Sequence, residues 1–200
     1  MTGNKKGFTL VEVVVALSIF AIATTYSIDL FVQSNTIQKR TANIQRVMAD
    51  ARYGLEVMAR EVRLGNIDYN YANYSRDAGG NLTWPQAELA IRDADNQPIR
   101  FRRNEVEAGR FALQVCSGQD VCNAADWLDI TPAELSVVNL AFYIAPGKDP
   151  FAWDAALVDY PADVQPHVTI VLETKSLLHD LPTEKISHLQ TTVTSRKYLR

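Results

Sequence analysis

The chain has 200 residues, 47% hydrophobic and 22% charged, with a formal net charge of −3. That is long enough for one domain with its own core and too apolar for a disordered chain. The slight negative charge excludes bulk attraction to nucleic acid or to an anionic membrane surface.

The first residues, MTGNKKG, are polar and basic through Lys5 and Lys6. The character then changes: FTLVEVVVALSIFAIATTYSI, from Phe8 to Ile28, carries a single charge, Glu12. About 21 helical residues cover about 31 Å, the thickness of a bilayer core. A secretory signal places small residues at the far end of its apolar run. Here the small residue Gly7 precedes the run, while Ala21, Ala23, Thr24 and Thr25 offer the alternative of a conventional cleavage site. Glu12 is costly inside a span, about 2.5–3.5 kcal/mol on insertion scales, so it is a functional suspect in need of a partner. Cleavage between Gly7 and Phe8 supplies one. A new amine appears one helical turn before the carboxylate, and the amine of one subunit neutralises Glu12 of its neighbour.

The segment Lys5-Lys6-Gly7-Phe8-Thr9-Leu10-Val11-Glu12 resembles the prepilin processing site of type IV pilins and type II secretion pseudopilins. The resemblance implies that a membrane-embedded prepilin peptidase cuts after Gly7 and methylates the new N-terminus at Phe8, with Glu12 as the assembly glutamate. Lys5 and Lys6 suit the positive-inside tendency of a leader held in the cytoplasm. The partners implied are membrane lipid, other pilin or pseudopilin subunits and an inner-membrane assembly platform. The location implied is the bacterial inner membrane, crossed once, with the rest of the chain in the periplasm or extracytoplasmic space and incorporated into a filament.

Ile37, Ile44, Val47, Ala51, Leu55, Met58 and Val62 continue at helical spacing, with charged residues on the opposite face. No proline occurs before Pro85, so nothing forces a break from Phe8 to about Arg63. Many pilins carry a proline in the buried half of this helix; this chain has Asp29 in that region, after Thr24, Thr25 and Ser27. Gly54 is a mild weakness, about 1 kcal/mol against alanine, and Gly65 is the expected C-terminal stop. Strands are expected at 89–92, 99–103, 111–116, 137–144, 168–174 and 190–196, from alternating and β-branched runs. Asp93-Ala94-Asp95-Asn96-Gln97-Pro98 is a hairpin turn between the first two. Residues 146–166, rich in proline and aspartate, read as a long loop.

The fold class expected is α+β, a long N-terminal helix packed on an antiparallel β-rich headgroup. Its divisions are a leader at 1–7, a membrane and assembly helix at 8–30, an amphipathic continuation at 31–64 and the headgroup at 65–200.

Cys116 and Cys122 lack the further ligands of a structural zinc site. A small disulfide is the reading for a domain facing an oxidising compartment, and free thiols are the alternative in a cytosolic one. His167, His179 and His188 have no metal-ligand spacing and are expected on exposed loops or strand ends. Asp93, Asp95 and Asn96 resemble half a calcium loop but lack its glycine and distal glutamate. Asp149, Asp154, Asp159 and Asp163 give no assignable ligand set. No catalytic, metal or cofactor site is therefore assigned, and enzymatic activity is not expected. Arg100, Arg102, Arg103 and Arg110 form a basic cluster that would suit phosphate, but Glu105 and Glu107 lie between them, so nucleic acid is not an expected partner. Tyr69, Tyr71, Tyr74 and Trp84 either form a sticky surface or cap the junction of helix and sheet.

The function expected is a structural minor subunit of a type II secretion pseudopilus, since the headgroup is elaborate and the tip-most subunit type usually lacks the assembly glutamate. A minor pilin of a type IV pilus or DNA-uptake system is the alternative. A membrane-anchored binding module or adhesin is the rival from another class.

Overall fold

The computed structural model describes residues 7–153, 164–177 and 186–196. Lys5 and Lys6, the loop aspartates Asp154, Asp159 and Asp163, and His179 lie outside the described residues. One helix, α1, Leu10–Leu64, is followed by eight strands: β1 Asn66–Ile67, β2 Glu88–Arg92, β3 Pro98–Glu107, β4 Arg110–Ser117, β5 Leu128–Asp129, β6 Leu135–Ala145, β7 His167–Ser176 and β8 Ile186–Thr194. All pairings are antiparallel, in a five-stranded sheet ordered β1-β2-β3-β4-β5 and a three-stranded sheet ordered β6-β7-β8. The α+β architecture of a pilin is thus present, a long N-terminal helix followed by antiparallel sheets.

The chain divides into two units, Met1–Asn43 and Ile44–Arg200. In the first, the apolar side chains from Phe8 to Val32 are exposed, Phe8 at 82% and Phe31 at 72%. The helix here is apolar all round, which in a stable structure calls for lipid or other helices as surroundings. Its hydroxyls are satisfied internally. Ser18, Thr24, Thr25, Ser27 and Thr36 each donate to the carbonyl four residues earlier, at 2.8–2.9 Å. Ile37, expected on the docking stripe, is 60% exposed.

In the second unit the stripe is buried from Val47 onward, through Ala51, Leu55, Met58, Ala59 and Val62. It shares a core with Leu89, Ile91, Phe101 and Leu113 of the larger sheet and with Leu135, Phe142, Ile170 and Leu172 of the smaller. Gly54 is a point of close approach: a β-carbon there would lie 2.9 Å from Leu113 Cδ2. Gly65 directly follows the last helical residue, where a stop was expected, and it too is a point of close approach: a β-carbon there would lie 2.6 Å from Arg92 O. Tyr69 and Tyr74 are buried in the same core, which agrees with a role at the helix–sheet junction, while Trp84 is exposed and donates Nε1–H to Ile144 O at 2.6 Å.

The β2–β3 turn forms as its residues suggest. Asp93 Oδ1 accepts the backbone N–H groups of Asp95 (2.9 Å) and Gln97 (2.8 Å), and Asn96 takes φ 61°. The largest departure is β8, which begins at Ile186 and ends at Thr194 rather than spanning 190–196. Its first half, Ile186-Ser187-His188-Leu189, is too polar to read as a strand alone. Pairing with β7 organises it, from Lys175↔Ile186 to His167↔Thr194.

Candidate functional site

The processing segment lies where the helix begins. Gly7, Phe8 and Thr9 have no regular secondary structure, and α1 starts at Leu10. The peptide bond between Gly7 and Phe8 is therefore outside the helical hydrogen-bond ladder, on exposed backbone. Nothing lies within 4 Å of the β-carbon position at Gly7. Among the described residues, no neighbour crowds this position.

Thr9 is a residue whose part was not seen in the sequence reading. Its Oγ1 accepts the backbone N–H of Glu12 at 3.3 Å, and its carbonyl accepts that of Val13 at 3.2 Å. Thr9 is thus the N-cap of α1 with Glu12 at the third helical position, and the Thr-x-x-Glu spacing is the sequence signal of that arrangement. Glu12 also suits the positive end of the helix dipole. Its carboxylate makes no ion pair among the described residues and is surrounded by exposed apolar side chains, including Val11, Val13 and Val15. A cap accounts for an acid at this place in water; it leaves the charge uncompensated in lipid.

The structure joins Cys116 and Cys122, with an S–S distance of 2.07 Å and a Cα–Cα distance of 6.3 Å. The short loop they close borders a polar cleft of about 380 Å³, whose walls include Tyr71, Glu88, Arg92, Arg100, Asp120 and Trp127. Its groups satisfy one another. Tyr71 donates to Glu88, and Arg92 pairs with Asp68 at 3.1 Å. Arg100 lies over the Tyr71 ring and donates to Asp120 O, while Arg102 covers Trp127 at 3.8 Å. Burial first, then the bond to Glu88, pushes the Tyr71 phenol up to about 12. One guanidinium thus lies over each of the two rings.

The four arginines do not make one basic patch. Arg100 and Arg102 face this cleft, Arg103 lies over Phe111, and Arg110 pairs with Asp129 at 3.4 Å. His188, expected at a strand end, lies within β8 with Nδ1 3.2 Å from Glu173. His167 opens β7. Among the described residues no group of three or more His, Cys, Asp or Glu side chains is arranged to hold a metal ion.

The family model for the prokaryotic N-terminal methylation motif matches residues 2–27. No curated protein and no solved structure matches the chain.

Proposed function

We propose that this chain, which carries the prepilin-type methylation motif of the type IV pilin and pseudopilin family, is a minor subunit of a type II secretion pseudopilus. The coarser part, a pilin-like subunit made to be processed by prepilin peptidase and to assemble with other pilin subunits, follows from the motif and the apolar helix behind it. The observation that carries the reading is the methylation-motif match over residues 2–27, with Gly7 on exposed backbone directly before that helix. In this reading the leader ends at Gly7, the new amine at Phe8 is methylated, and Glu12 pairs with the amine of the next subunit. The headgroup selects which neighbours join. Its elaborate two-sheet build and the presence of Glu12 support a minor subunit other than the tip-most type. The disulfide suits an oxidising compartment outside the inner membrane.

The test is mass spectrometry of the N-terminal peptide, from cells with and without the prepilin peptidase. The expected result is a peptide beginning at N-methylated Phe8 only where the peptidase is present. A chain still beginning at Met1, or cut near Ala23, would overturn the reading.

A further inference from the structure

A small pocket of about 200 Å³ lies beside the β3–β4 hairpin, lined by Arg103, Gly109, Phe111, Ser136, Val138 and Lys175 among others, with no acidic side chain among the described residues of its wall. Arg103 is held rigidly in it. Its guanidinium lies 3.6 Å over the Phe111 ring centre, and its Nε–H donates to Val137 O at 2.7 Å. The terminal nitrogens have no acceptor among the described residues. Arg63, Arg92 and Arg110, by contrast, each meet a carboxylate, at 3.1, 3.1 and 3.4 Å.

The rest of the wall also donates. Ser136 is almost fully buried, and its Oγ accepts the Phe111 N–H at 3.1 Å, which leaves the hydroxyl proton to give. Lys175, itself engaged, also lines the wall. The nearest carboxylate along the strand, Glu105, accepts the Gly109 N–H at 2.9 Å. Burial holds the Arg103 pKa below its usual value, against the opposing pull of Glu105. A partly desolvated cation whose terminal nitrogens meet no acceptor among the described residues is a cost that an incoming anion relieves.

We propose that this pocket binds a carboxylate, end-on to the terminal nitrogens of Arg103, with the Ser136 hydroxyl as a further donor. A planar two-oxygen acceptor matches the fork of one guanidinium. Phosphate would ask for more, and among the described residues of the wall Arg103 is the one arginine, while the Gly109 N–H is taken. The carboxylate comes either from a small free acid or from an acidic side chain of a second copy of the chain. The inference does not depend on how the N-terminus is processed.

The experiment uses the full chain in detergent micelles, with the arginine side-chain nitrogens followed by NMR. Sodium acetate is titrated against sodium chloride and sodium phosphate at equal ionic strength. The Arg103 signals, and the backbone amides of Gly109 and Phe111 in the same wall, are expected to move saturably with acetate and not with chloride. Arg103→Gln, read at those two amides, should weaken acetate binding at least about tenfold, in keeping with the strength of charge-assisted bonds. Ser136→Ala keeps Arg103 and should weaken it by less, a second reading should Arg103→Gln fail to fold. Movement of the same signals on raising the protein concentration without acetate assigns the acid to a second copy; movement with acetate alone assigns it to a small free acid. Absence of a saturable acetate effect, an unchanged effect in Arg103→Gln, or tighter binding of phosphate than of acetate would overturn the proposal.

Discussion

A β-carbon at Gly65 would meet Ile91 Cγ2 at 2.5 Å, Arg92 O at 2.6 Å and Glu61 O at 3.0 Å, and two of these three are backbone atoms that cannot swing aside. Gly65→Ala is therefore expected to destabilise by roughly 1–3 kcal/mol, the usual range for overpacking. Gly54→Ala meets only the end of the Leu113 side chain, and the helix gains about 1 kcal/mol from alanine, so the two effects should nearly cancel. Urea unfolding of both variants checks this; equal midpoints would show that close approach at Gly65 is not limiting. Glu12→Val poses a different question. It removes the costly charge while leaving Gly7 and Phe8 in place, so cleavage should be normal and incorporation into filaments should fall. Normal incorporation, read from sheared filament fractions, would remove Glu12 from its proposed role. The motif that contains Gly7, Phe8 and Glu12 was legible in the sequence because it is a short local stretch. The purposes of Gly54 and Gly65 were not, because the atoms that crowd them come from β2 and β4.

At the scale of elements, legibility followed the source of the ordering force. The helix and the central strands announce themselves through periodicity, since Val168, Ile170 and Leu172 alternate with half-exposed residues along β7. The two-residue strands β1 and β5, and the first half of β8, are ordered by what they pair with and carry no pattern of their own. The segment from Tyr69 to Tyr74 is similar. Its composition suggested either a surface or a junction, and only burial decides. Burial also raises the pKa of all three tyrosines, with Tyr71 pushed up from its ordinary value to about 12. The sign follows directly: the folded state keeps these phenols protonated, so their stabilisation is complete below pH 10 and is lost as the pH rises through 12. The 295 nm absorbance titration should show delayed ionisation of these three, released as the headgroup unfolds in alkali. A full phenolate signal by about pH 10.5 with the fold intact would contradict it.

For the whole molecule, every side chain of the shared core lies at Val47 or later. A chain beginning near residue 33 therefore loses no core residue, and it is expected to stay in solution and unfold in one cooperative transition. Loss of cooperativity in a thermal melt would mean that the earlier helix contributes to folding. The full chain should instead follow the membrane fraction, because its first unit buries none of its apolar span.

The hydroxyls of Ser18, Thr24, Thr25 and Ser27 carry a consequence for traffic between phases. Each is already bonded to its own helix, so none of them demands a new partner when the surroundings change. Lipid tails are as apolar as leucine, so exchanging them for neighbouring helices leaves the other side chains nearly indifferent. A segment so balanced partitions almost evenly between bilayer and bundle. In the proposed filament the direction of transfer then rests most on the carboxylate of Glu12, deep in the span, and a single proton or amine beside it would tip the exchange either way.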